Sequence, residues 1–207
     1  MNFLNKIYVW SLKNYLKLTT FLLILGIVYG IYLYFYFLAQ KKDQEAGDLF
    51  LNYYNLYSPS DFDEKEYEII IEKISQIDDD SIYLVMLKSI YAAELVENDD
   101  LQDALTELSN AKEILITKGN NFNFLKEIVD LRMINILIHL EDLERAKNIL
   151  ENTFTIYRIK KLILQGDILA IEKEFDEAKK KYSDALNRSE NETQKNLINL
   201  KISTLID

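Results

Sequence analysis

Between Lys17 and Lys41 the chain carries no charged side chain, and from Leu18 to Ala39 it reads LTTFLLILGIVYGIYLYFYFLA. Those 22 residues, at about 1.5 Å each in a helix, extend roughly 33 Å and match a hydrocarbon core of about 30 Å. The run has no polar face, which argues against the core helix of a soluble domain. It exceeds the roughly 7–15 apolar residues of a cleaved signal, and Phe37 breaks the small-x-small cleavage pattern ahead of Ala39. Tyr29, Tyr32, Tyr34 and Tyr36 crowd one end, while Trp10 and Tyr15 flank the other. Amphipathic rings at both ends suit the two headgroup regions. The run therefore predicts an uncleaved transmembrane helix.

The flanks give it a direction. Lys6, Lys13 and Lys17 precede the run, whereas Lys41 and Lys42 are followed at once by Asp43, Glu45 and Asp48. Counting Lys and Arg alone, the positive-inside rule favours a cytoplasmic N-terminus by a narrow margin. The expected division is a short cytoplasmic segment over 1–17, a transmembrane anchor over 18–39 and a domain over 40–207 outside the cytoplasm. In a Gram-negative cell that is an inner-membrane protein with a periplasmic domain. Gly26 and Gly30 stand four apart in the anchor and would let a second helix approach, offering a route to a homo-oligomer.

One Pro and 5 Gly in 207 residues leave little material for tight strand turns, so the remainder is expected to be all-α. Three of the 24 basic residues precede Lys41 and no acidic ones do; residues 41–207 thus hold 21 basic and 34 acidic side chains, a net charge of −13. A surface that negative repels nucleic acid and anionic headgroups. With no cysteine, disulfides, thiolate chemistry and sulfur-ligated metals are excluded.

Self-similarity emerges after residue 80. In LILQGDILAIEKEFDEAKKKYSDAL, residues 162–186, Gly166 is followed by Ala178, Tyr182 and Ala185. Ala92, Ala104, Leu108 and Ala111 repeat these offsets, as do Ile134, Ala146, Leu150 and Thr153. Small residues facing each other on paired helices, with a larger one filling the gap to the next pair, form the tetratricopeptide pattern. Ala104 and Ala146 are 42 apart and Ala146 and Ala178 are 32 apart; against a period of about 34, the long interval predicts an insertion at Lys118–Gly119–Asn120–Asn121. Acidic turns are expected at Glu97–Asp100, Glu141–Asp142 and Glu174. Two helices should precede the repeats, over 43–57 and 62–77, the second capped by Asp61. A final helix over 190–206 would close the stack with Leu197, Leu200 and Ile206. The predicted architecture is a single transmembrane helix followed by a tetratricopeptide-like solenoid of helical hairpins.

Catalytic chemistry has little to stand on. His139 is the sole histidine, which removes the common triads and histidine-built metal sites. Asp78–Asp79–Asp80 lacks the glycine and later glutamate of a calcium loop and reads as a solvated turn. No phosphate-cradling glycine loop occurs. The chain is expected to be no enzyme and to need no cofactor. If the first helices of the repeats line a groove, Asn135, Ile138 and His139 of one unit would meet a partner there, with Asp167, Ala170 and Ile171 of the next.

The layout of anchor and repeats resembles the YfgM family. The likeness is carried by LRMINILIHLEDLERAKNILE in the middle and by GDILAIEKEFDEA and LINLKISTLID at the end. What the resemblance implies is an inner-membrane, repeat-bearing partner of the SecYEG translocon, working beside a membrane-anchored periplasmic chaperone of the prolyl-isomerase type. On that reading the chain is an adaptor handing exported proteins to periplasmic chaperones. A holdase that binds unfolded chains directly, and an organiser of cell-envelope or cell-division machinery, are the competing readings.

Overall fold

The structure, a computed structural model, describes residues 9–10, 13–57, 62–152 and 155–205. Its helices are α1 (Tyr15–Leu56), α2 (Glu64–Ile77), α3 (Ile82–Glu97), α4 (Leu101–Thr117), α5 (Asn123–His139), α6 (Leu143–Asn152), α7 (Arg158–Ile171), α8 (Phe175–Arg188) and α9 (Glu192–Ser203). A 3₁₀ turn, Gly119–Phe122, joins α4 to α5, and no strand occurs among the described residues. Each helix packs on the next in sequence, and α1 also reaches α3, which makes the stack a solenoid of hairpins.

α1 is continuous over 42 residues, about 63 Å of rise. The separate helix expected over 43–57 is the end of this one, a correction with a simple cause. From Ala39 to Leu49 the chain reads AQKKDQEAGDL, with no proline and one glycine, so the backbone hydrogen bonding is never broken. That glycine serves packing, since a Cβ on Gly47 would lie 2.8 Å from the Tyr83 hydroxyl oxygen of α3. Ala46, Gly47, Phe50 and Tyr53 are buried, so the tail of α1 is the first helix of the first hairpin. Its apolar front is bare: none of its most apolar 18-residue stretch is buried against the chain. Soluble proteins avoid so large an exposed apolar surface, and this helix is compatible with a membrane anchor. Tyr29, Tyr32 and Tyr36 stack along one side, with centroid distances of 6.5 and 6.3 Å.

The second hairpin helix opens later than expected. Asp61 lies outside the described residues, and the cap of α2 is Asp63, whose carboxylate accepts from the backbone N–H of Lys65 at 2.9 Å and of Glu66 at 3.3 Å. A ring cluster locks the start of α2 to α3. Tyr67 and Tyr91 stand 4.4 Å apart, Phe62 and Tyr91 5.5 Å, and Tyr91 donates to Glu64 at 2.5 Å.

In the three following hairpins the sequence register is also the spatial one. Ala92, Ala104, Leu108 and Ala111 are buried, as are Ile134, Ala146 and Leu150, and Gly166, Ala178, Tyr182 and Ala185; Thr153 lies outside the described residues. Each hairpin turns through one left-handed residue, Asp99 (φ 66°), Glu141 (φ 57°) and Lys173 (φ 65°). At each turn the following amide bonds back five residues, Asp100 to Leu95 at 2.8 Å, Asp142 to Leu137 at 2.9 Å and Glu174 to Leu169 at 2.8 Å. This is the Schellman closure usually given to glycine. Side chains occupy it at all three turns, so the paired helices outweigh the local backbone strain.

The long interval between repeats has a different origin from the one expected. α4 has 17 residues against 10 in α6, and α5 has 17 against 14 in α7. Those seven and three residues make up the difference between 42 and 32, so helices were lengthened and no loop was inserted at Lys118–Asn121. The closing helix is also rotated by one residue. Ile198 is fully buried with Ile202 and Leu205 beside it, while Leu197 and Leu200 are exposed; Ile206 lies outside the described residues. Ile198, Ile202 and Leu205 are spaced four and three apart and form the stripe that packs, while the Asn191 carboxamide oxygen caps the helix start by accepting from the Gln194 amide at 3.0 Å.

A Cβ on Gly166 would lie 2.4 Å from Cε1 of Tyr182. Gly166→Ala should therefore cost about 1–3 kcal/mol in urea denaturation. Adding Tyr182→Leu, the residue type that Leu108 and Leu150 supply at the same offset, should recover most of the loss. Additive losses in the double variant would contradict this packing.

Candidate partner-binding groove

α1, α3 and α5 are the first helices of successive hairpins, and their exposed sides face one another. Between them opens a trough of about 540 Å³ with Phe50, Tyr54 and Tyr57 on the first wall, Met86 and Ala93 on the second, and Leu125, Ile128 and Arg132 on the third. A second trough of about 360 Å³ shares Ala93 and Arg132 and runs on between Val96, Glu97 and Asn135. The two form one groove, mostly apolar, with Arg132 at its middle.

The walls are held by specific contacts. Arg132 Nη1 donates to the Ser89 carbonyl at 2.9 Å and ties α5 to α3 across the groove floor. No carboxylate of the described residues pairs with that guanidinium. Tyr57, at the end of α1, donates to the buried carboxylate of Glu94 on α3. Burial, then that hydrogen bond, pushes its hydroxyl pKa up, so it stays a neutral donor.

The residues singled out from sequence fall in different settings. Asn135 lines the second trough. Ile138 is half-buried against the central core, and His139 is exposed as the last residue of α5. Asp167 is turned inward, accepting from the Tyr182 hydroxyl at 2.6 Å and from Lys201 at 2.7 Å. Ala170 packs on the C-terminal cluster, and Ile171 is exposed at the end of α7. Asn135 is thus the one of the six that borders this groove. Phe50, Tyr54, Met86, Leu125, Ile128 and Arg132 were not anticipated: the first three precede Ala92, where the small-residue register becomes visible, and the last three belong to no part of that register. For the first wall, the signal that could have found it is the Ala46–Gly47–Phe50–Tyr53 spacing, an inward face that makes the end of α1 a hairpin helix.

A family model described as a tetratricopeptide repeat-like domain matches residues 10–207. The chain belongs to that family. No curated protein and no solved structure matches it. Repeats of this kind point to protein–protein interaction, and in this tetratricopeptide repeat-like chain the groove is the candidate surface for it.

Two charged clusters lie elsewhere. The Asp78, Asp79 and Asp80 carboxylates come within 4.8 Å of one another, and Asp80 pairs with Lys118 at 2.6 Å, which joins the start of α3 to the end of α4. Glu127 supports the third groove wall from a different face of α5. Its carboxylate is buried and accepts from the backbone N–H of Thr155 (2.7 Å), Ile156 (3.0 Å) and Tyr157 (3.0 Å), and from the Thr155 hydroxyl at 2.9 Å. These are the free amides ahead of α7, so a side chain of one hairpin caps the next. Burial opposes its ionisation, but the hydrogen bonds together outweigh it and hold the carboxyl below its usual pKa.

A depressed carboxylate contributes stability that is present above its unfolded-state pKa, about 4.3, and lost as pH falls through the folded value. Glu127→Gln should cost about 1–3 kcal/mol in urea denaturation at neutral pH. The gap from the native chain should narrow as the pH drops through the carboxylate range. A gap independent of pH would show that the charge is not what caps α7.

Proposed function

We propose that this chain is a single-pass membrane adaptor in which α1 anchors a protein-binding scaffold. Residues 1–17 lie in the cytoplasm, 18–39 cross the inner membrane and 40–207 form the periplasmic repeat domain. The observation that carries this reading is that α1 is apolar and wholly unburied over its front, yet enters the hydrophobic core over its last turns. A helix of that kind delivers the groove to a membrane surface. Tethering raises the local concentration of membrane partners, so weak contacts suffice.

The partners favoured are the SecYEG translocon and a membrane-anchored periplasmic chaperone of the prolyl-isomerase type, through the YfgM resemblance. The groove would bind one of them through Tyr54, Arg132 and Asn135; Ile138, His139, Asp167, Ala170 and Ile171 lie beyond it, on the first helices of this hairpin and the next. In the anchor, Gly26 and Gly30 have nothing within 4 Å of a built Cβ and would accept a neighbouring helix, including that of a second copy. An apolar groove also suits the holdase reading, in which the occupant is an unfolded chain.

Photo-crosslinking in the native host separates these readings. Probes at Tyr54 and Asn135 should capture a translocon subunit or the isomerase, and a probe at Lys180 on the outer helix α8 should not. Capture of many unrelated exported chains would favour the holdase, and capture of cell-wall enzymes alone would overturn the translocon assignment.

A further inference from the structure

The groove has a chemical asymmetry that specifies its occupant. Around it the domain carries a large acidic excess, with 34 acidic residues in the chain. Within it the walls are mostly apolar; Glu97 adds one carboxylate to the second trough, and the charge common to both troughs, and the one cation in either, is the guanidinium of Arg132. One Nη1 hydrogen bond to the Ser89 carbonyl fixes that side chain in place. Its remaining N–H donors have no carboxylate of the described residues to bind. An anionic segment is repelled by the surrounding surface and attracted at this single point, so Arg132 sets both register and selectivity.

Position along α1 narrows the source. From Ala39 to Phe50 is 11 residues, about 16 Å along an unbroken helix. Because α1 is continuous, that spacing is rigid and no linker lets the groove drift away. On the reading that 18–39 lie in the membrane, the groove stands within reach of segments that have just left the bilayer. The troughs extend to either side of Arg132, toward Tyr54 one way and Asn135 the other. A chain lying in them continues past the arginine in both directions, so the matching carboxylate is an internal side chain.

We propose that the groove binds the juxtamembrane segment of a second membrane-embedded protein, apolar along its length and carrying one internal Asp or Glu that pairs with Arg132. This rests on the adaptor reading above and names the chemistry of its partner.

The test uses the full chain in phosphatidylcholine nanodiscs and three fluorescein-labelled apolar peptides that differ only in a central Glu, Gln or Lys, read by anisotropy. The Glu peptide should bind, with the Gln and Lys peptides about tenfold weaker or more. Arg132→Glu, at an exposed position, should invert the order so that the Lys peptide binds best. Joining the Glu peptide by a short spacer to a model transmembrane helix in the same nanodisc should tighten binding further, and no gain would overturn the membrane-proximal source. Equal binding of Glu and Gln peptides, abolished by Ala93→Trp, would overturn the carboxylate pairing while leaving the groove as the binding surface. Binding that survives Ala93→Trp would overturn the groove itself. Absence of binding by all three peptides would overturn the pairing.

Discussion

The continuity of α1 is the constraint on which the rest of the molecule depends. One 42-residue helix is an exposed apolar rod at one end and the first wall of a protein core at the other. Gly47 lets Tyr83 close on it, and Phe50 and Tyr53 sink into the cluster formed with Tyr67, Leu84 and Leu87. Without that docking the first hairpin would have no first helix, and the groove would lose the wall carrying Phe50, Tyr54 and Tyr57. With it, whatever holds the apolar half also fixes the height and direction of the groove.

Downstream, stability is passed from one hairpin to the next by a few repeated devices. Small residues bring paired helices together, and left-handed turns at Asp99, Glu141 and Lys173 close them. Charged side chains then stitch neighbours. Asp130 is fully buried and meets Lys112 of α4 at 2.5 Å and Lys126 at 3.4 Å, while Glu127 one turn away caps α7. A buried carboxylate with two cationic partners is expensive to break and so fixes register more than it adds stability. Lys147 of α6 does the same at the surface, meeting Glu172 at 2.5 Å.

Much of this was legible in the sequence, and the misses have physical causes. The helical fold, the apolar helix and the register of Ala92, Ala146 and Gly166 follow from period and residue size, which are local quantities. The break assumed before residue 43 was wrong because a change from apolar to charged composition does not interrupt backbone hydrogen bonding. The insertion near Lys118 was misplaced because added helical turns preserve the small-residue register as well as a loop does. Leu197 and Leu200 read as inward because α9 carries two neighbouring apolar stripes, and the one through Ile198, Ile202 and Leu205 is the one that packs. The groove stayed hidden for another reason. Its walls come mainly from residues 50–57, 85–97 and 125–136, which share no motif and meet only through the stacking of first helices.

The central claim is that the apolar rod and the first wall of the scaffold are one rigid helix. Hydrogen–deuterium exchange of the full chain in nanodiscs, resolved over residues 36–56, tests it most directly. The account predicts slow exchange running unbroken from the apolar run through Gln40–Asp48 into the buried turns at Phe50 and Tyr53. Rapid exchange confined to Gln40–Asp48, between two protected segments, would contradict it, since the scaffold would then hang on a flexible tether and the groove would have no fixed place relative to the apolar rod.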